Sequence, residues 1–258
     1  MNARRINALG RAELRLLWRD RIALVNAVLP PLAIVPLVAT AVPATGGLPV
    51  RAFLVTGLLG LVLLSAVYYT LVGTYVARRE ALVLKRLRVG ELTDAELLAG
   101  TAGPAMSIAL TQIVLFVAVG VLAMRLPLPV NAPVLFLGAL GGVAVFVLLA
   151  AASTAFTRTS EVAQVTTLPL VVACLLGSGL LVPLNTLPEP VVAIARFLPL
   201  TPAVQLMRLG WLGTTGAGAP VDFVGVLGTA ATPAAILAGW AVVAGLAARR
   251  WFRWEPRR

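Results

Sequence analysis

The sequence predicts an all-α membrane protein with six transmembrane helices, an N-terminal amphipathic interfacial helix, and short outer-leaflet helices between spans five and six. Three observations predict this. None of the 31 charged side chains lies inside the stretches Ile22–Val50, Ala52–Ala77, Leu97–Met124, Leu126–Thr157, Val162–Pro188 and Phe223–Ala248. Each stretch is 26 to 32 residues long, and about 20 apolar residues in a helix cross a bilayer core. Composition agrees: of 258 residues, 60% are hydrophobic and 12% charged, which leaves no room for a sizeable soluble domain. Residues 1–258 therefore read as a single transmembrane domain.

Taken in order, residues 1–21 form an amphipathic helix. Arg4, Arg11, Arg15 and Arg19 cluster on one side, and Ile6, Leu9, Leu14, Leu16 and Leu17 lie roughly opposite, with Glu13 interrupting the apolar face. Such a helix lies in the inner interface with its basic side toward headgroups. It serves as an anchor for span one, or adds contact with a cytoplasmic partner. Span one follows near 22–42, and the Pro30–Pro31 pair should kink it. Ala39–Thr40–Ala41 has the form of a signal-peptide cleavage site, but the apolar run and the segment before it are both too long for a leader.

Spans two to four are expected near 52–77, 103–124 and 133–157, with a cytoplasmic loop over 78–102. Span five is expected near 165–184 and span six near 223–248. The segment 185–222 is apolar too, but Arg196 and Arg208 cut it into pieces too short to span, and Pro188, Pro190, Pro199 and Pro202 break it further. It reads as one or two short helices at or dipping into the outer leaflet, joined by the turn Pro199–Leu200–Thr201–Pro202.

Charge sets the orientation. Of the 21 basic residues, 17 fall on the face of the termini, and only Arg51, Arg125, Arg196 and Arg208 fall on the other. Cytoplasmic loops carry the Lys/Arg excess, so both termini are expected on the cytoplasmic side of a bacterial plasma membrane. The ratio of 20 arginines to one lysine is an association with GC-rich bacterial genomes. The net charge of +11 then reflects topology and contact with anionic lipid. It does not mark nucleic-acid binding, which needs a basic patch on a folded soluble face. The single cysteine, Cys174, rules out an internal disulfide and suits small-residue packing.

Absences narrow the chemistry. The chain has no histidine, and no Asp or Glu lies within a span. Intramembrane metalloprotease or carboxylate-dyad chemistry cannot be built, and a midplane proton relay or a voltage-sensing arginine ladder is missing. The only lysine, Lys85, follows Leu84, so no P-loop exists. No catalytic residue, metal or cofactor is expected on this chain, and energy for uphill transport must come from another polypeptide.

The segment Arg78–Gly100, RREALVLKRLRVGELTDAELLAG, is the longest inner loop. Leu82, Leu84, Leu87 and Val89 are placed to pack, while Arg79, Lys85, Arg86 and Arg88 face out. Thr93 followed by Glu96 is a capping-box pattern that predicts a second short helix. The segment is either a solvated hairpin or a rigid charged helix suited to transmitting force from a cytosolic subunit.

Arg79, Glu80, Leu84, Lys85, Arg86, Leu87 and Arg88, followed by Leu92, Leu97, Leu98, Ala99 and Gly100, resemble the loop of the type-2 ABC transporter (ABC-2) permeases. These are the six-span subunits of many bacterial drug and polymer exporters. The preceding amphipathic helix and two spans, and Leu198–Pro199–Leu200–Thr201–Pro202 before span six, are similar as well. One departure is Glu91, where the family often has proline. The resemblance implies a coupling helix, with those seven residues from Arg79 to Arg88 docking on a cytosolic ABC ATPase that binds ATP-Mg. It also implies a homodimer or heterodimer of permease chains, and a substrate path near spans one, two and five.

In those spans the polar candidates are Asn26, Ser65, Tyr68, Tyr75, Thr167, Cys174 and Ser178. Ser65, Tyr68 and Tyr75 share one face of span two, and Thr70 and Thr74 lie on another. Polar residues in spans also serve helix packing alone, and Gly138-x-x-x-Gly142 in span four is a common packing motif. As a path they make a mildly polar surface with no arginine at depth, suited to hydrophobic or amphiphilic, drug- or antibiotic-like cargo. The rival readings are a lipid or polysaccharide exporter of the same architecture, and a non-transporting scaffold that recruits cytosolic proteins through 78–100.

Overall fold

The computed structural model describes residues 50–82, 93–122, 124–216 and 218–252. The expected amphipathic helix 1–21 and span one lie outside the described residues. Helix α1 (Val50–Val62) runs through a π-helical stretch, Leu63–Tyr69, into α2 (Thr70–Glu80). Then follow α3 (Asp94–Leu122), α4 (Ala132–Ser153), α5 (Ala163–Gly177), a 3-10 turn (Leu184–Thr186), α6 (Glu189–Ala195), α7 (Leu200–Leu212) and α8 (Phe223–Trp251). Among the described residues there is no strand.

Four elements are long and apolar enough to cross a bilayer: the α1–α2 rod, α3, α4 and α8. Helix α5 is apolar but only 15 residues long, and α6 and α7 form a pair bent by 92°. The architecture is all-helical and of the membrane-spanning kind.

The start of α3 carries the capping box that the sequence predicts. The Thr93 N–H donates to Glu96 Oε2 at 3.0 Å, and the Glu96 N–H donates to Thr93 Oγ1 at 3.4 Å. The short helix expected there is not separate, however. It continues through Pro104 as one helix of 29 residues, because a helix packed among others tolerates the single donor that proline removes. Asn131 caps α4, its side chain accepting the Val134 N–H at 3.1 Å. Asp222 caps α8 through the Gly225 N–H at 2.9 Å.

Helix α7 departs furthest from expectation. It is not a surface helix: nearly every residue from Leu200 to Leu212 is buried, with α4, α8 and α1 packed around it. Glycines make the space. A β-carbon on Gly138 would stand 2.8 Å from Leu206 Cβ and from the Met207 nitrogen, and one on Gly142 would stand 3.0 Å from Ala203 Cβ. Gly210 of α7 answers from the other side, where a β-carbon would run into the backbone of Leu135.

Polar bonds lock both ends of α7. At its start, Thr201 Oγ1 donates to the Ala195 carbonyl at 2.6 Å, which fixes the corner with α6. At its finish, the Asn131 N–H donates to the Gly210 carbonyl at 2.7 Å, and Trp211 Nε1 donates to the Pro127 carbonyl at 2.9 Å. Gly213 then reverses the chain at φ +69°.

These contacts predict that Gly138→Leu lowers unfolding stability by about 1–3 kcal/mol. Gly228→Leu, where an added β-carbon meets nothing within 4 Å, should leave it unchanged. Thermal unfolding of the two variants in detergent checks this pair.

Candidate functional site

The predicted coupling segment falls between the end of α2 and Thr93 in the sequence. Leu84, Lys85, Arg86, Leu87 and Arg88 lie outside the described residues, whereas the base on either side is described in full. The three- and four-residue repeat of a helix face governs that base: Val72, Tyr75, Val76 and Arg79 occupy one buried face of α2.

That repeat explains Arg79. Its charge alone predicts an outward position, but its place on the buried stripe turns it inward, and it is 1% exposed. Its Nη1 donates to the Thr154 carbonyl at 2.9 Å, and its Nη2 donates to the carbonyls of Thr157 at 2.6 Å and Arg158 at 3.0 Å. Helix α4 ends at Ser153, where the last carbonyls lack helical partners and the helix dipole is negative. The guanidinium supplies both the missing donors and the matching charge.

Its neighbours extend the brace. Glu80 Oε2 accepts the Ser160 N–H at 3.3 Å. Arg78 Nη1 donates to Thr101 Oγ1 on α3 at 3.4 Å. The Tyr75 hydroxyl donates to the Leu98 carbonyl at 3.0 Å, and its ring meets Phe252 edge-on at 6.0 Å. The two ends of segment 83–92 are thus joined to each other and to the α4–α5 connection.

The candidate path residues fare differently. Asn26 lies outside the described residues. Tyr68 and Tyr75 are interior, and the Tyr68 hydroxyl shares a 2.9 Å hydrogen bond with Ser153 Oγ. As placed, neither reaches an open surface of this chain. Thr167 and Cys174 are buried as well, and the Thr167 hydroxyl bonds to the Ala163 carbonyl at 2.9 Å. Ser65 is half-buried and returns its hydroxyl to the Leu61 carbonyl at 2.8 Å.

The open face of span two is one that its polar spacing did not single out as a path. Tyr69 and Thr70 are exposed, Gly73 and Thr74 are partly so, and a β-carbon on Gly73 would meet nothing within 4 Å. The Thr70 and Thr74 hydroxyls bond to the carbonyls of Ser65 and Thr70 at 2.9 and 2.8 Å. The face is therefore mildly polar and uncharged. The π-helical stretch, a feature that recurs at functional sites, lies beside it.

At the opposite end of the bundle Arg208 is 3% exposed. Its Nε donates to Thr56 Oγ1 at 3.0 Å, its Nη2 donates to the Gly179 carbonyl at 3.1 Å, and its guanidinium carbon lies 5.0 Å from the Phe53 ring centre. The sequence places Arg208 in the outer segment, and the structure buries it among the helices. Burial of α7 carries Arg208 inward with it.

A family model described as ABC-2 type transporter matches residues 4–212. The chain belongs to the ABC-2 type transporter family. No curated protein matches it. In this ABC-2 permease the matched region includes the braced base, the open face of span two and the buried helix α7. Membership makes the chain a transport subunit of the membrane-embedded kind.

Arg79→Met should leave the carbonyls of Thr154 and Thr157 without their donor, at about 1–3 kcal/mol for each group left unsatisfied. Arg79→Lys should recover part of the loss. Thermal unfolding, with protease accessibility of 154–162 as a second readout, measures both.

Proposed function

We propose that this chain is the membrane-spanning permease of an ATP-driven exporter that moves hydrophobic or amphiphilic, drug- or antibiotic-like cargo outward. ATP-Mg is hydrolysed on a separate cytosolic ABC ATPase, and two permease chains, identical or similar, form the path. The basic asymmetry of the loops supports an Arg79 end in the cytoplasm of a bacterial plasma membrane. Spans one to six and the 78–102 loop keep the assignments read from the sequence.

The observation that supports this reading is the braced base of segment 83–92. A docked ATPase pushing on Lys85, Arg86 and Arg88 meets a segment held at both ends. Arg78 and Tyr75 carry the load to α3, and Arg79 and Glu80 carry it to the α4–α5 connection. A passive hairpin needs none of these ties. The uncharged stripe of Tyr69, Thr70 and Thr74 supports amphiphilic cargo, since it offers hydroxyls without a fixed charge.

The tagged chain, purified in mild detergent from its native host, should bring down a stoichiometric P-loop ATPase. Reversing the charges of Lys85, Arg86 and Arg88 should remove that ATPase and abolish transport while membrane insertion is unchanged. An ATPase that stays bound to the triple variant sinks the coupling assignment. An intact chain with no ATPase at all favours the scaffold reading.

A further inference from the structure

A cavity of about 740 Å³ opens at the Arg208 end of the bundle, between the end of α5, helix α6 and helix α7. Its wall includes Arg208 and Arg196, one carboxylate, Glu189, the neutral donors Ser178 and Gln205, and the apolar side chain of Leu187. Among the described residues no carboxylate pairs with either guanidinium. The volume lies in the range of sites that hold a small organic molecule.

Two groups in this wall are incompletely used. Arg208 spends Nε and Nη2 on Thr56 and Gly179, and among the described residues Nη1 makes no hydrogen bond. Ser178 is 1% exposed, and its hydroxyl has no oxygen or nitrogen partner among the described residues, with the weakly polar Cys174 thiol beside it. A buried cation held only by neutral groups and a ring keeps most of its desolvation cost, and a buried hydroxyl without a strong partner adds to that cost. An anion in the cavity would meet both needs at once. The exposed Arg196 adds a second positive charge at the rim, and Leu187 gives an apolar surface for whatever carries the anion.

We propose that this cavity binds the phosphate headgroup of an anionic amphiphile, with Arg208 and Arg196 as its cationic partners and Ser178 and Gln205 as neutral donors. This deepens the transport reading, on which it rests for the choice of an amphiphile and for the outward placement of the cavity. Glu189 opposes the anion and weakens binding. A phosphate offers more acceptor oxygens than a carboxylate, so it can meet two guanidinium groups and two neutral donors at once.

The test is binding of dioctanoyl phosphatidylglycerol to the full chain in phosphatidylcholine nanodiscs, read by calorimetry. Arg196→Gln should weaken binding by about tenfold, and Glu189→Gln should strengthen it. Both side chains are exposed, so neither change threatens the fold. Arg208→Gln should abolish binding, but it also breaks the ties to Thr56 and Gly179, so the two exposed variants decide the outcome. Inorganic phosphate should displace the lipid only at about a hundredfold excess or more, because it lacks the apolar chains.

Binding that neither exposed variant alters would place the lipid on the basic end of the chain and overturn the proposal. Displacement by phosphate at equal concentration would overturn the amphiphile assignment. No ATPase is present in this assay, so failure here leaves the coupling reading untouched, and loss of the ATPase partner leaves this binding result standing.

Discussion

Close backbone contact between α4 and α7 sets the arrangement of the described bundle. Helices inside a bilayer gain little from burying apolar surface against one another, because lipid is equally apolar, so fit and hydrogen bonds decide where they meet. Gly138 and Gly142 remove side chains where Ala203, Leu206 and Met207 press in, and Gly210 does the same where Leu135 presses back. The Asn131 N–H then bonds to the Gly210 carbonyl, and the Asn131 side-chain amide donates to the Phe223 carbonyl at 3.0 Å. One asparagine thus ties the start of α4, the end of α7 and the start of α8.

Two buried arginines hold the opposite ends of the bundle, and their surroundings differ in a way that separates their roles. Arg79 meets three carbonyls at the negative end of a helix, so its charge is matched by fixed dipoles. Arg208 meets one hydroxyl, one carbonyl and a ring, and it borders a cavity. The first arrangement is a closed structural joint. The second leaves positive charge available to a partner of opposite sign.

Charge-free length makes the long helices legible in the sequence, and the boundaries of α3, α4 and α8 carry their own caps in Thr93, Asn131 and Asp222. Burial of α7 is not legible in the same way. Its arginine and prolines mark it as too polar and too broken to span, and those marks are the same for a helix at the surface and for one packed among its neighbours. Arg79 is misplaced when charge is weighed above helical position, although the stripe Val72, Tyr75, Val76 and Arg79 is visible in the sequence. The π-helical stretch gives no sequence signal, and it lies beside the exposed Tyr69 and Thr70.

The α1–α2 rod connects the two arginine joints. Thr56, near one end, accepts from Arg208, and Arg79, near the other, grips the end of α4. Between them the ladder changes to the wider π pattern at Leu63–Tyr69, where the Thr70 N–H bonds to the Ser65 carbonyl. An α-helical rod is stiff along its axis, and its weakest point is where the regular ladder is interrupted. On the proposed coupling, a load delivered at Arg79 would reach Thr56 through the π stretch, beside the exposed Tyr69 and Thr70. One element thus joins the Arg79 brace, the open face and the Arg208 cavity, with the π stretch between them.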